Sequence, residues 1–188
     1  MTSTSSTPRS SGSNRQRVAE VEDGLTPDVL VEIERVKRVK YAYLRCLDQK
    51  DWEGIAELFL PDAVAEYSGG NYSYAGRDEI VRFIATNMGS ESFHSSHRVH
   101  HPEVEVVGDT ATAIWALEDT VLDTDWGFLL FGAAFYEDTF RKVDGRWLIE
   151  RTAYRRSFEA MVPTASIAGF QVTASWWATD GRSSLPVV

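Results

Sequence analysis

The chain has 188 residues, of which 43% are hydrophobic, and a formal net charge of −9 at neutral pH. This length suits one domain with its own core. The negative charge disfavours nucleic acid as a partner, because no basic patch is large enough to neutralise many phosphates, and no apolar run of about 18 residues could span a membrane. The single cysteine, Cys46, cannot form an internal disulfide and favours a reducing, cytoplasmic location.

The first 24 residues are predicted to be a disordered tail. The first 17 of them, MTSTSSTPRSSGSNRQR, are rich in Ser and Thr and contain no acidic residue. That composition overlaps with organelle transit peptides, but the apolar residues of an amphipathic targeting helix are missing. A folded domain is therefore expected from residue 25 to residue 160.

Helical periodicity opens the folded region. Thr26 and Pro27 form a favourable N-cap and first-position pair, and apolar residues then recur at helical spacing until about Gln49. Asp51 is predicted to cap a second, short helix that ends before Pro61. The sequence therefore predicts two consecutive helices ahead of the first strand.

Extended segments and turn signals make up most of the remaining chain. After a third helix that starts near Gly76, the apolar period changes from 3.6 to 2 beyond Gly89. Strands are predicted at 63–68, 72–74, 93–107, 110–123, 128–142 and 146–158, with the later ones joined as hairpins. Helices followed by a long antiparallel sheet indicate an α+β fold. A strongly bent sheet around the first helix would enclose an apolar cavity.

The end of the first helix carries two candidate site residues, Tyr43 and Asp48. The helix dipole disfavours a carboxylate near a helix C-terminus, so Asp48 is poorly placed for helix stability. We therefore expect both side chains at the cavity. Their spacing puts them about 140° apart on an ideal helix, and Asp48 is expected to be the more peripheral of the two.

The strands add a carboxylate and a group of histidines. One face of the strand at 110–123 is apolar except for Asp119, which either meets water at the open end or pairs with a histidine. All four histidines lie between His94 and His101, and His97 and His101 share one strand face. Such a pair can chelate a metal, but no H-E-x-x-H motif or cysteine accompanies it. A single catalytic histidine without a metal is favoured.

A phenol, two carboxylates and an imidazole around an aromatic cavity favour one kind of chemistry. A neutral histidine is a competent base near neutral pH, and a tyrosine can donate a hydrogen bond to an enolate oxygen. Proton abstraction beside a carbonyl would lead to elimination, isomerisation or ring closure. A lyase, an isomerase or polyketide cyclase, and a module that only binds ligands remain as alternatives.

Several motifs in order resemble the SnoaL-like branch of the nuclear transport factor 2-like superfamily, and within it the bacterial bile acid 7α-dehydratases. The resemblance covers about residues 32–158. The motifs are Tyr43-Leu-Arg-Cys-Leu-Asp48-x-Lys-x-Trp52, His97-x-x-His100-x-Pro102-Glu103, Trp115-x-Leu-Glu-Asp119, Gly132-Ala-Ala-Phe-Tyr136, Asp144-Gly-x-Trp147 and Thr152-x-Tyr154-x-Arg156. The resemblance implies a cone-shaped α+β barrel, with a bent mixed or antiparallel sheet around the N-terminal helices.

The resemblance also implies a function and a set of site residues. Its catalytic residues fall on Tyr43, Asp48, His97 and Asp119, with the tyrosine polarising a carbonyl and both aspartates orienting the histidine. The implied reaction is elimination of water from a hydroxylated steroid-like or polycyclic substrate, without metal or organic cofactor, in a homotrimer. The residues expected to bind the substrate are Tyr67, Trp115, Phe131 and Tyr136. Residues 161–188, which include a Trp-rich segment without a match, are expected to form a cavity lid or an interface.

Overall fold

The computed structural model describes residues 25–186, so the predicted tail at 1–24 lies outside the described residues. The helices are α1 (Pro27–Gln49), α2 (Trp52–Leu58) and α3 (Arg77–Met88). The strands are β1 (Phe59–Tyr67), β2 (Tyr72–Ala75), β3 (Phe93–Val107), β4 (Thr110–Asp123), β5 (Phe128–Val143) and β6 (Arg146–Pro163). No helix among residues 25–186 is long and apolar enough to cross a membrane.

One six-stranded sheet, in the order β2-β1-β6-β5-β4-β3, carries the fold. Neighbouring strands are antiparallel except for β1 and β6, which run parallel. The sheet is therefore mixed, and its first long strand pairs with its last. This architecture confirms the predicted α+β class with a curled mixed sheet.

Local signals define the ends of α1 and α2 as the sequence predicts. The hydroxyl of Thr26 accepts a hydrogen bond from the backbone N–H of Val29 at 3.3 Å, which caps the start of α1. Lys50 ends that helix in the left-handed conformation, with φ of 56°. The Asp51 carboxylate then accepts from the N–H of Gly54 at 2.9 Å and caps α2. These caps determine where α1 ends and where α2 begins.

The core lies between α1 and the inner face of the sheet. The predicted apolar face of β4 is the buried one, and side chains at the alternate positions are more exposed. Its buried residues are Ala111, Ala113, Trp115, Leu117, Asp119, Val121 and Asp123. Asp119 and Asp123 are thus the two buried carboxylates on this otherwise apolar face.

Two strands extend by four or five residues beyond the predicted limits. β1 begins at Phe59 and contains Pro61, which the sequence had suggested as a boundary. The pairing of β1 with β6 is irregular between Phe59 and Val64, and such an irregularity accommodates a residue that has no backbone N–H. β6 continues to Pro163, five residues past its predicted end at 158. The segment at 170–177 forms turns and irregular structure.

Candidate functional site

A histidine and an aspartate form the centre of the candidate site. Asp48 lies in the last turn of α1 and His97 lies early in β3, and Nδ1 of the imidazole is 2.7 Å from Oδ1 of the carboxylate. The backbone N–H of His97 donates to Oδ2 at 2.9 Å, and the Ser95 hydroxyl donates to Oδ1 at 2.8 Å. Asp48 therefore fixes both the backbone and the ring of His97, and is not the peripheral residue that its helical position suggested.

The electrostatics of Asp48 define the state of the imidazole. Burial would raise the pKa of Asp48, but the hydrogen bonds and charge of His97, together with the Ser95 hydroxyl, bring that pKa below its usual value. An ionised carboxylate can only accept hydrogen bonds, so Nδ1 of His97 carries the proton that faces it. The lone pair of the neutral ring is then on Nε2, where a base needs it.

Asp119 has a different partner from the one that the sequence suggested. It is 3% exposed, and Arg156 of β6 binds both of its oxygens, with Nη1 at 2.5 Å and Nη2 at 2.8 Å. Burial alone would lower the pKa of Arg156, but the hydrogen bonds and charge of Asp119 raise it. Both earlier alternatives for Asp119, exposure to water and a bond to a histidine, are therefore wrong. His97 lies opposite Asp119 in the pairing of β3 with β4, yet within residues 25–186 its ring is hydrogen-bonded to Asp48 alone.

Gly132 makes room for this two-pronged ion pair. A Cβ atom at Gly132 would lie 3.0 Å from Nη1 of Arg156 and 3.4 Å from Oδ1 of Asp119. It would also lie 2.9 Å from the backbone oxygen of Phe158. A Cβ atom rarely comes so close to an oxygen or a nitrogen, so this arrangement of the strands and the ion pair favours glycine at position 132.

Tyrosines line the interior next to the ion pair. The hydroxyls of Tyr43 and Tyr67 are 3.4 Å apart, and the ring centre of Tyr154 lies 5.8 Å from Tyr67 and 5.5 Å from Tyr136. The guanidinium carbon of Arg156 is 5.2 Å from the Tyr154 ring centre. Burial raises the pKa of Tyr43 well above its ordinary value, while the hydrogen bond with Tyr67 opposes the shift. Tyr43 is therefore a neutral hydrogen-bond donor.

Two of the residues expected to bind substrate, Trp115 and Phe131, have contrasting positions. Trp115 is fully buried, and its Nε1 has no hydrogen-bond partner within residues 25–186. Phe131 is 44% exposed and lies on the outer face of β5, because its neighbour Gly132 faces inward next to Asp119. The expectation that Phe131 lines the interior is wrong, since adjacent residues of a strand point to opposite faces.

The remaining histidines are separated from His97. A register shift follows His100, and His101 has a φ of 47°, which interrupts the alternation that would have put it on the face of His97. Nε2 of His100 lies 3.6 Å from the Glu118 carboxylate, on the outer side of the sheet. Burial lowers the pKa of His94, and the nearby Lys50 charge lowers it further. The structure thus assigns the Asp48 contact to one histidine of the four.

The C-terminal segment lies beside the end of α1. The Trp177 ring centre is 4.5 Å from Nζ of Lys50, two residues after Asp48. The Ser175 hydroxyl accepts hydrogen bonds from the N–H groups of Trp177 and Ala178, each at 3.2 Å, and so stabilises the turn that presents this indole. The predicted role of this segment as a lid or an interface stays a prediction.

Two cavities open elsewhere on the molecule. One of about 300 Å³ lies between α1 and the β5–β6 turn, and another of about 60 Å³ lies near the outer side of β1, β5 and β6. Of the site residues described above, only Tyr154 lines either of them. The contact between the Tyr43 and Tyr67 hydroxyls, at 3.4 Å, is long for a hydrogen bond between two oxygens.

Sequence reasoning missed Arg156 as a site residue, although a signal was present. Thr152, Tyr154 and Arg156 alternate along β6 and share its inner face. A buried carboxylate on an apolar strand face requires a cation or several donors. Asp119 could therefore have been paired with the nearest inward-facing arginine.

The model of the SnoaL-like domain family matches residues 28–153. The chain belongs to this family. The match includes Asp48, His97 and Asp119 and ends just before Tyr154 and Arg156. The superfamily expected from the sequence motifs is thereby confirmed.

Other proteins share the fold of this SnoaL-like domain at low sequence identity. A candidate scytalone dehydratase from Novosphingobium aromaticivorans superposes with a TM-score of 0.67 and 24% identity, over 84% of this chain and 99% of its own. The hexachlorocyclohexane dehydrochlorinase LinA-type3 from Novosphingobium barchaimii superposes with a TM-score of 0.65 and 16% identity, over 76% and 94%. The uncharacterized protein Rv2910c of Mycobacterium tuberculosis is 23% identical over 146 residues, which are 77% of this chain and 92% of that protein.

Proposed function

We propose that the protein is a cofactor-independent dehydratase that eliminates water from a hydroxylated, carbonyl-activated steroid-like or polycyclic substrate. The observation that supports this most is the contact of His97 with Asp48, which holds Nδ1 and leaves Nε2 as a base. Two proteins of the same fold are named a dehydratase and a dehydrochlorinase, and both names denote eliminations. These names support the reaction class, and the residues of this chain supply its groups.

The proposed reaction begins with proton abstraction by Nε2 of His97 from a carbon activated by the substrate carbonyl. The electron pair of the broken C–H bond enters a conjugated enolate, and the Tyr43 hydroxyl donates a hydrogen bond to the enolate oxygen. The C–O bond to the leaving hydroxyl then breaks, and the imidazolium returns its proton to that hydroxyl. Water leaves, a new C=C bond forms, and His97 is neutral again.

The two carboxylates have separate tasks in this proposal. Asp48 orients His97 and stabilises the imidazolium that forms during the reaction. Asp119, fixed by Arg156, provides an oriented ion pair directly across from His97 on the same face of the sheet. Tyr67, Tyr136 and Trp115 are proposed to contact the substrate rings and oxygens.

We further propose that the enzyme acts in the cytoplasm as a homotrimer. Phe131, Phe135 and Phe158 are exposed, and the strand register places them on the outer face of β5 and β6. An exposed group of aromatic side chains on one sheet face favours contact with another subunit. The single buried cysteine, Cys46, is compatible with a reducing compartment.

Turnover of a steroid panel tests the proposed reaction. The wild-type protein is incubated with 3-oxo-4-ene steroids that carry a 7-hydroxyl group, and the ultraviolet band of the conjugated dienone product is followed. His97→Ala and Tyr43→Phe are each expected to lower turnover by about 100-fold, as losses of a general base and of an oxyanion donor do. His100→Ala is the matched control, since it removes a histidine from the same strand on the outer side of the sheet.

The outcomes distinguish the alternatives. Full activity of His97→Ala would eliminate the mechanism. A product of unchanged mass with a shifted double bond would identify an isomerase in place of a dehydratase. Binding of the steroids without any product would favour the ligand-binding alternative.

A further inference from the structure

A fully buried ion pair lies in the core, among groups that the proposed reaction does not use. Lys40 of α1 is 0% exposed, and its Nζ is 2.8 Å from Oδ2 of Asp138 on β5. Thr152 of β6 donates a hydrogen bond to Oδ1 of the same carboxylate at 2.7 Å. The ammonium and the carboxylate are therefore in direct contact, with both side chains out of reach of solvent.

Stability does not explain why this pair is in the core. Two charges lose their hydration when they are buried, and their mutual attraction offsets only part of that free-energy cost. Apolar replacements of a buried pair are often neutral or stabilising. The neighbouring core residues Val36 and Phe140 show that apolar side chains suit this region of α1 and β5. The role of the pair must therefore lie in its effect on the groups that the two charges contact.

The ammonium of Lys40 faces the tyrosine rings of the candidate site. Its Nζ lies 3.2 Å from the ring centre of Tyr136 and 5.1 Å from that of Tyr43, which is one helical turn further along α1. A cation over an aromatic face is attracted by the ring and restricts its movement. The same ammonium therefore contacts the proposed donor and the ring beside it.

The negative charge of Asp138 raises the pKa values of the tyrosines near Lys40. Burial raises the pKa of Tyr43, Tyr67 and Tyr136, and the negative charge of Asp138 raises it further. For Lys40, burial lowers the pKa, and the adjacent Asp138 carboxylate opposes that shift only in part. The Asp138 carboxylate thus acts on the Lys40 ammonium and on the tyrosine phenols at the same time.

We propose that Lys40, paired with Asp138, is a positioning residue for Tyr43. Its ammonium holds the ring faces of Tyr136 and Tyr43 and offsets the negative charge of Asp138. The Tyr43 phenol then keeps its orientation and its strength as a hydrogen-bond donor to an oxyanion. This inference rests on the role proposed for Tyr43 in the elimination.

A double variant separates positioning from stability. Lys40→Met/Asp138→Leu removes both charges together, since a single change would leave one buried charge without its partner. The matched control is Arg151→Gln/Glu66→Gln, which removes a half-exposed ion pair between β6 and β1. The unfolding temperature of the Lys40/Asp138 double variant should not fall below that of the wild type.

The kinetic arm follows turnover of the steroid substrate by both double variants. The Lys40/Asp138 variant should lose roughly 10-fold or more in kcat with KM within about threefold, as expected when a group acts on the transition state through a positioned donor. The control should keep the wild-type kcat. A Lys40/Asp138 double variant with normal kcat and normal stability would overturn the inference.

A spectroscopic arm decides the inference even without a known substrate. With fluorotyrosine incorporated, the ¹⁹F resonances of Tyr43 and Tyr136 should shift in the Lys40/Asp138 variant and stay in place in the control. The ¹⁵N resonance of Lys40 Nζ in the wild type should be that of an ammonium at pH 7. Unchanged tyrosine resonances, or a neutral amine, would refute the inference. An inactive wild type would count against the proposed elimination, while this arm would still decide the positioning role.

Discussion

Asp48 shows how neighbours can reverse the penalty of a poor local position. The dipole of α1 and partial burial both disfavour a charged carboxylate at its last turn. The N–H and ring of His97 and the hydroxyl of Ser95 nevertheless donate three hydrogen bonds to it. Together they bring its pKa below the usual value, so the side chain remains ionised where the histidine needs an acceptor.

This shift predicts an acid-dependent loss of stability. The pKa of Asp48 is lower in the folded protein than its ordinary value of 3.8, so the unfolded chain takes up the proton first as pH falls. The stabilisation is complete above about pH 4 and is lost as pH falls through the lower folded pKa. Asp48→Asn should therefore make the free energy of unfolding less dependent on pH below about 4, as measured by urea titrations at several pH values.

Asp109→Asn serves as the comparison, because Asp109 lies exposed in the turn between β3 and β4. A pH dependence of Asp48→Asn as steep as that of Asp109→Asn would contradict the coupling between Asp48 and His97.

Position along a strand was a better guide to the site than residue type. Side chains alternate between the two faces of β5. Since Tyr136 and Gly132 face inward, Phe131 faces outward, although its aromatic side chain had suggested the interior. Alternation from Tyr154 likewise places Arg156 inside, next to Asp119. The Asp48–His97 contact could not be derived from either rule, because it depends on how α1 lies against β3.

At the scale of elements, the site depends on how closely β4, β5 and β6 approach at Gly132. Gly132→Ala should displace the Arg156–Asp119 pair, because the added methyl group would meet both partners and the Phe158 backbone oxygen. We expect a loss of about 1–3 kcal/mol in the free energy of unfolding, as for other overpacked positions. Thermal and urea unfolding measure the loss directly.

Ala133→Ser adds one atom to the adjacent residue on the outer face of β5 and should be nearly neutral. Equal stability of Gly132→Ala and the wild type would show that the strands separate easily at this point. It would also mean that the ion pair does not depend on their close approach.

The limits of the elements followed mostly from local signals in the sequence. The caps at Thr26 and Asp51 and the hairpin between the strands at 93–107 and 110–123 were correctly predicted, because each signal acts within a few residues. The start of β1 was missed, since Pro61 normally ends a strand and only the irregular pairing with β6 accommodates it. The parallel pairing itself has no local signal, because its two strands are far apart in the chain.

At the scale of the whole molecule, the outer face of the sheet predicts assembly. Phe131→Lys/Phe135→Lys should convert a trimer, three times the 21.1 kDa chain, into single chains, because the charges would be buried between subunits. The two side chains are already exposed in the single chain, so its fold should persist. Sedimentation velocity measures the mass, and circular dichroism verifies the fold.

Trp126→Lys is the matched control, since Trp126 is exposed in the β4–β5 turn away from this face. A wild type with the mass of one chain would refute the trimer. A double variant that remains trimeric would place the interface on another surface.

The parallel neighbours β1 and β6 have a consequence for synthesis on the ribosome. Arg151 and Glu66, which bind each other across these strands, are 85 residues apart in the chain. At about 5–20 residues per second, roughly 4–17 s separate their translation. During that interval β1 has only the short β2 as a sheet partner, and an isolated two-stranded hairpin is marginally stable in water. The nascent chain therefore presents an open strand edge until its last long strand emerges. Chaperones would be most needed during this interval.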